Sequence, residues 1–216
     1  MRPEIFGANM EWNEKQIRIL EIAEKLFAEN SFDGTSIRQI SKEADINIAM
    51  ISYYFGSKEK LLKALLLYRM GDFKMELEFR ISKNQDFLKT LDEIVELVLQ
   101  KIHRNRRTYK IIHFEYSNEN RSIDFDSYIE QKRENYGMIE KFVVRGQKAG
   151  IFSKNVNTSL IMPTILGTYF HFYYNKRFFR SRYNLKETDS IDLFISEVLT
   201  PHIQQTIRAL LTYGTQ

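Results

Sequence analysis

The chain has 216 residues, of which 43% are hydrophobic and 28% charged, and it contains no cysteine. The lack of cysteine excludes disulfides and thiolate metal sites and suits a reducing cytoplasm. No segment reaches the roughly 18 uninterrupted apolar residues of a membrane helix, and the start of the chain lacks the apolar core of a signal peptide, so a cytoplasmic protein is expected.

The formal net charge of +4 is unevenly distributed along the chain. Residues 1–80 carry 12 Lys and Arg against 13 Asp and Glu, a net charge of −1. Residues 81–216 carry 20 against 15, a net charge of +5. A basic patch is the usual electrostatic footprint of nucleic-acid binding, and the N-terminal part has no excess of positive charge. The charge balance alone therefore does not indicate the kind of partner.

The N-terminal part begins with one long helix and one short helix. Only nine glycines and three prolines interrupt the chain, and apolar residues at 3.6-residue spacing predict a first helix over about residues 13–29. Asn13 with Gln16 forms a capping box at its start. After a turn, Ser36 with Gln39 forms a second capping box and opens a helix about two turns long.

A third and a fourth helix follow, separated by further breaks. A three-residue break begins at Asp45, one of the few non-glycine residue types that readily adopts a left-handed backbone. Asn47 then caps a short helix over about residues 48–55. Ser57 caps the fourth helix, and apolar spacing extends that helix without interruption to about Ile81.

The rest of the chain also has helical periodicity. The predicted helices there cover about residues 87–102, 109–116, 125–150, 158–179 and 191–211. Pro163 predicts a kink in one of them and Pro201 an interruption in the last. No alternating strand pattern of useful length occurs. We therefore predict an all-α protein of about nine helices, with an N-terminal domain and arm at residues 1–57 and a larger helical domain at residues 58–216.

Two short helices joined by a tight break, after a longer supporting helix, form the pattern of the helix-turn-helix. In this motif the second short helix enters the major groove of DNA, which is about 12 Å wide, and the other helices hold it there. The pattern therefore predicts that residues 48–55 form a recognition helix, with Phe55 in the core.

The same region, residues 13–62, resembles the DNA-binding domain of the TetR family of bacterial repressors. The similar stretches, in the family's order and spacing, are Phe32-Asp33-Gly34-Thr35-Ser36-Ile37, Ile40-Ser41-Lys42-Glu43-Ala44 and Tyr54-Phe55-Gly56-Ser57-Lys58-Glu59-Lys60-Leu61-Leu62. Two positions depart from the family pattern. Asp45 stands where glycine is usual, and Ser52 stands where a phosphate-contacting tyrosine is frequent, so any phosphate contact by Ser52 has a shorter reach.

The resemblance implies which side chains meet DNA. Arg38 is implied to lie near base edges, and Asn47, Ile48 and Ala49 are implied to face the floor of the groove. Ile48 and Ala49 suit thymine methyl groups or a shape fit. Tyr53 and Tyr54 are implied to flank the DNA backbone. The implied phosphate contacts, at helix N-termini that favour anions, are Thr35, Ser36 and Lys58. The full implied set is Thr35, Ser36, Arg38, Asn47, Ile48, Ala49, Ser52, Tyr53, Tyr54 and Lys58. Taken alone, each polar member is more often a helix cap or a solvated residue, and Ile48 could also belong to a small hydrophobic core.

The resemblance also implies a ligand-binding helical domain and a homodimer formed by the last two helices. Residues 158–179 carry an aromatic stripe too rich for a solvated face, which suits a dimer interface or the core of one subunit. Aromatic residues at helical spacing are candidates for the wall of an apolar cavity. These candidates, each of which also suits ordinary packing, are Tyr109, His113, Tyr116, Tyr169, Phe170 and Tyr173.

Enzyme motifs are missing from the sequence. We find no HExxH pattern, no nucleotide-binding glycine loop and no Gly-x-Ser-x-Gly elbow, so no catalytic residue, metal or cofactor is predicted. The leading hypothesis is a dimeric repressor that a small apolar or amphipathic molecule releases from a palindromic DNA operator. The alternative, kept open by the acidic balance of residues 1–80, is a ligand-binding protein or enzyme on the same fold without operator binding.

Overall fold

The computed structural model describes residues 12–71, 73–83, 86–117, 124–185 and 188–214. Within these ranges the regular structure is helical and no strand is present, so the predicted all-α class is confirmed. The predicted N-terminal arm, residues 1–11, lies outside the described residues. The helices are α1 (Glu14–Asn30), α2 (Ile37–Ala44), α3 (Ile48–Phe55), α4 (Lys58–Met70), α5 (Phe73–Lys83), α6 (Phe87–Arg104), α7 (Arg106–Tyr116), α8 (Asp126–Lys148), α9 (Ile161–Tyr174), α10 (Lys176–Tyr183), α11 (Thr188–Phe194) and α12 (Thr200–Thr212).

The helices pack into two compact units. The first unit comprises residues up to 72 together with residues 104–132, and the second comprises residues 73–103 together with residues 133–216. Packing defines these units, whereas the predicted domains at residues 1–57 and 58–216 divide the chain by sequence position. The domain assignment stays a prediction, and each unit is described below by itself.

The helix caps predicted for the N-terminal part are confirmed. The Asn13 side chain accepts from the Gln16 backbone N–H at 3.0 Å, and the Gln16 side chain accepts from the Asn13 N–H at 3.0 Å. The second capping box forms in the same way at the start of α2. Asp45 has the left-handed backbone that its position requires, with φ 53° and ψ 47°. Local sequence therefore fixes where α1 and α2 begin and how α2 ends.

One hydrophobic core supports the first three helices. Phe55 is fully buried, as predicted, and Trp12 stacks on it with 6.4 Å between ring centroids. The core takes side chains from α1 to α4 and also Ile111 of α7 and Tyr128 of α8. Residues far along the chain therefore help to hold the helix-turn-helix in place.

The fourth predicted helix is not continuous. α4 ends at Met70 and α5 begins at Phe73, so the prediction of an unbroken helix to about Ile81 is wrong. The Gly71 N–H bonds to the Tyr68 carbonyl, three residues back, rather than continuing the i−4 pattern. Glycine has a low helix propensity because it loses more backbone entropy than other residues, which explains why the helix stops there.

The described part of the second unit is divided into more helical segments than the sequence predicted. Pro163 lies in the first turn of α9, where the ring is tolerated, and the segment ends at Tyr174 before a separate α10. A π-helical stretch, Ile195–Leu199, joins α11 to α12 just before Pro201. Proline lacks the N–H that an α-helical hydrogen bond needs. The interruption predicted at Pro201 is therefore present as a π-helical turn just before it, which is wider than an α-helical turn.

Candidate nucleic-acid interface and effector site

The turn between α1 and α2 is stabilised from inside. The Thr35 side chain is only 1% exposed, and its hydroxyl donates to the Leu26 carbonyl at 3.1 Å and the Ser31 carbonyl at 2.8 Å. The buried hydroxyl therefore positions the start of α2. The predicted phosphate contact of Thr35 at this helix N-terminus stays a prediction.

Lys58 ties the same turn to α4. Its ammonium group donates to the Phe32 carbonyl at 2.9 Å and the Thr35 carbonyl at 3.0 Å, and it lies 4.3 Å from the centroid of the Phe32 ring. An ammonium group has three N–H donors, so these bonds leave one for another acceptor. The predicted phosphate contact of Lys58 stays a prediction, but the geometry gives the residue a structural role as well.

We expect Lys58→Met to lower the free energy of unfolding by about 1.5 kcal/mol, because two carbonyls lose charge-assisted bonds. Binding to all DNA sequences should weaken to a similar degree, since the turn carries no base information. Urea unfolding followed by the fluorescence of Trp12, the only tryptophan, measures the change. Lys60→Met, at an exposed position two residues later, is the control. Equal free energies of unfolding for Lys58→Met and Lys60→Met would contradict the structural role of Lys58.

Most of the other predicted DNA-contacting residues lie in, or just before, α2 and α3 and are exposed. The Ser36 hydroxyl accepts from the Gln39 N–H at 3.2 Å, and the Asn47 side chain accepts from the Ala49 N–H at 2.8 Å. These two residues are therefore helix caps as well as surface groups. The exposed members of the predicted set are Ser36, Arg38, Asn47, Ile48, Ala49, Ser52 and Tyr53.

The two adjacent tyrosines have different positions. Tyr53 is 53% exposed, whereas Tyr54 is half-buried and packs against the hydrophobic core. Their rings meet edge to face, with 5.5 Å between centroids. Tyr54 thus supports Tyr53 from the core side, and the predicted flanking position on the DNA backbone fits Tyr53 better.

Three of the predicted effector-contacting residues lie in the first unit, on α7. His113 and Tyr116 are exposed, and the Tyr116 ring meets Phe125 edge to face at 5.6 Å. Tyr109 is half-buried. Burial raises the pKa of the nearby Tyr128, and the neighbouring hydroxyls of Tyr109 and Tyr116 raise it further. The Tyr128 hydroxyl therefore stays protonated and can donate a hydrogen bond.

The other three predicted effector-contacting residues lie in the second unit, on α9. Tyr169 is fully buried, and its hydroxyl lies 2.8 Å from Nδ1 of His103, whose Nε2 lies 3.0 Å from the Asp192 carboxylate. Tyr173 stacks on Tyr169 at 5.9 Å. Phe170 is half-buried and stacks on Tyr174 at 5.7 Å. Tyr169 is thus a core residue within a hydrogen-bonded group.

The second unit contains an apolar cavity of about 550 Å³ that the sequence did not predict. Its wall includes Phe172, Phe179 and Phe194, with His171 and His202 as polar groups. It contains none of the six predicted effector-contacting residues. The sequence signal for this cavity was the apolar stretch 158–179. Its periodicity did not show which face of α9 lines the cavity: residues 168, 171 and 172 do, whereas Tyr169 and Tyr173 do not.

The helix-turn-helix, its caps and its exposed face together define the class of the N-terminal part as a DNA-binding domain. Residues 19–65 match the family model described as bacterial regulatory proteins, tetR family. The chain is 32% identical over 127 residues to the probable HTH-type transcriptional regulator YttP of Bacillus subtilis (strain 168). That match covers 58% of this chain and 59% of the relative, less than two thirds of its length. Residues 19–65 are therefore similar to the tetR family of bacterial regulatory proteins.

Solved structures share the fold. The fatty acid degradation regulator FadR from Bacillus halodurans matches with a TM-score of 0.74 at 17% identity, over 92% of this chain and 97% of that one. The regulator FadR from Bacillus subtilis, solved in complex with stearoyl-CoA, matches with a TM-score of 0.70 at 17% identity, over 92% and 98% of the two chains. Among the residues described here, no helix is long and apolar enough to cross a membrane.

Proposed function

We propose that the protein is a ligand-responsive transcriptional regulator, a repressor that a small apolar or amphipathic molecule releases from a palindromic operator. The observation that carries this proposal is the exposed face of α2 and α3, held by capped helices and the buried turn of Thr35 and Lys58. A helix supported in this way fits the major groove. Bacterial operators lie in the cytoplasm, so the protein would act there. Binding and release of DNA would need no enzymatic activity.

Binding to DNA is tested by gel shift with the DNA that flanks the protein's own gene. We expect retention of one palindromic duplex at concentrations that leave random DNA of equal length unbound. Stearoyl-CoA is the first effector to add, because the B. subtilis FadR structure holds that compound, and release of the duplex is expected. Retention equal to random DNA would favour the alternative, a ligand-binding protein or enzyme on the same fold without operator binding.

The proposed regulator acts as a homodimer, since two half-sites one DNA turn apart require two recognition helices. The second unit offers apolar side chains that one copy leaves exposed. Val198, on the wall of the apolar cavity, is 48% exposed. Tyr174 on α9 is 46% exposed and Leu210 on α12 is 41% exposed. A second copy covering these faces would remove apolar area from water.

We expect Val198→Glu to convert the dimer to a folded monomer, because a carboxylate in an apolar interface loses its hydration. Analytical ultracentrifugation at micromolar concentration measures the change. Met75→Glu, at a position that is 66% exposed on α5 of the same unit, is the matched control and should stay dimeric. A wild-type monomer, or a Val198→Glu dimer as tight as the wild type, would contradict this interface.

A further inference from the structure

The outward face of the recognition helix carries no charge. All eight residues of α3 are neutral. Ile51 and Phe55 are buried and occupy the side of the helix that faces the core. Direct recognition of guanine uses Arg or Lys, and recognition of cytosine uses Asp or Glu, so α3 has neither of these options. The side chains that remain exposed on the helix are Ile48, Ala49, Ser52 and Tyr53.

Asn47, just before the helix, is committed to another task. Its amide oxygen accepts from the Ala49 N–H at 2.8 Å and so caps α3. Recognition of adenine by asparagine is bidentate and needs that oxygen as an acceptor for the base. An amide oxygen has two lone pairs, so the cap restrains the direction of the Asn47 side chain and leaves one lone pair for a base.

The hydroxyls on the exposed face select bases weakly. Ser52 and Tyr53 each offer a group that both donates and accepts, so a hydroxyl can pair with several base edges. The features left to discriminate bases on this helix are its apolar groups. Ile48 is 40% exposed, and it is not one of the described side chains that pack against the core of the first unit.

We propose that α3 recognises its half-site chiefly through thymine, by apolar contact of Ile48 and Ala49 with the 5-methyl group. In the major groove this methyl group is the one apolar feature of a base pair, and it distinguishes thymine from the other three bases. The inference rests on the proposed function and specifies which base the DNA-binding surface selects. Arg38, on α2, supplies a charged donor outside α3.

The test uses a duplex that the full-length protein selects from a random-sequence library. The duplex is remade with uracil in place of single thymines, which removes the methyl group and keeps the base pairing. Affinity should fall about fourfold for each contacted thymine, equivalent to about 0.8 kcal/mol for a buried group of methyl size. Uracil placed outside the protected half-sites is the DNA control and should leave affinity unchanged.

A protein variant assigns the contact to its side chain. Ile48→Ala should bind the thymine duplex more weakly and lose most of the response to uracil at one position, because the shortened side chain no longer reaches the methyl group. Met75→Ala removes an apolar side chain from α5 that is also exposed (66%, against 40% for Ile48) and should keep the full fourfold response. Circular dichroism of both variants checks that helix content is unchanged.

The outcomes separate the inference from the function on which it rests. If no duplex is selected over random DNA, the proposed function fails. If a duplex is selected but uracil leaves its affinity unchanged, the thymine assignment is wrong and DNA binding stands. If Ile48→Ala still lost affinity fourfold when uracil replaced thymine, the assignment would also be overturned, because another group would then contact the methyl group. A fourfold loss that disappears in Ile48→Ala supports it.

Discussion

Replacing Arg69 with methionine is expected to lower the free energy of unfolding of the first unit by about 3–5 kcal/mol, the usual cost of leaving a buried charge unpaired. The Arg69 guanidinium donates to the carboxylate of Glu24 at 2.5 and 3.1 Å, and only 7% of the Glu24 side chain is exposed. The second carboxylate oxygen accepts from the Thr108 hydroxyl at 2.5 Å. Methionine keeps the length of the arginine but leaves Glu24 without its cation.

The neighbouring residue provides a matched control. Lys25 pairs with Glu43 at 3.2 Å, but both side chains are about 40% exposed (43% and 41%). Lys25→Met should therefore cost less than about 1 kcal/mol, as is usual for exposed ion pairs. Urea unfolding at fixed protein concentration, followed by Trp12 fluorescence, measures both changes. Similar losses in the two variants would show that burial of the Glu24 pair has no special effect.

A double variant separates the charge from the packing. Glu24→Leu combined with Arg69→Met removes both ions, so no unpaired charge stays buried, and much of the lost stability should return. A double variant as unstable as Arg69→Met alone would contradict this account. Since Thr108 belongs to α7, the network also joins α1 to a helix that the sequence placed in the larger helical domain, residues 58–216.

Gly146→Ala is expected to destabilise the second unit by about 3 kcal/mol, the upper end of the usual cost of overpacking. A Cβ at Gly146 would lie 2.2 Å from Cδ2 of Phe152, which is 1% exposed. The Phe152 ring contacts Phe87 and Phe142 at 5.8 and 5.9 Å. The Phe152 N–H also donates to the Gly146 carbonyl at 3.1 Å. The ring is therefore held on several sides and cannot move away from an added methyl group.

The same helix contains the opposite case. A Cβ at Gly137 would meet nothing within 4 Å. Gly137→Ala should therefore stabilise the protein by about 0.5–1 kcal/mol through the higher helix propensity of alanine. Thermal unfolding by circular dichroism compares the two variants, whose melting temperatures should move in opposite directions. If both melting temperatures rose, or both fell, the space around each glycine would not be what decides the effect of the alanine substitution on stability.

Part of the fold was predictable because it depends on neighbours in the sequence. A helix cap joins residues three apart, so Asn13 and Gln16 reveal the start of α1 without any tertiary contact. The left-handed backbone of Asp45 follows from a break between two short helices. The spacing of apolar residues places Phe55 on the buried side of α3. These local signals were enough to predict the helix-turn-helix and its exposed face.

Other features depend on residues far apart in the sequence, and only the tertiary structure decided them. Thr35 and Lys58 look like surface residues in the motif, yet one is buried and the other bonds to carbonyls 23 and 26 residues away. Periodicity gave no sign that Glu24 would pair with Arg69, 45 residues later. The apolar cavity was also not predicted, because a stretch that is apolar on every side does not show which face packs and which is left open.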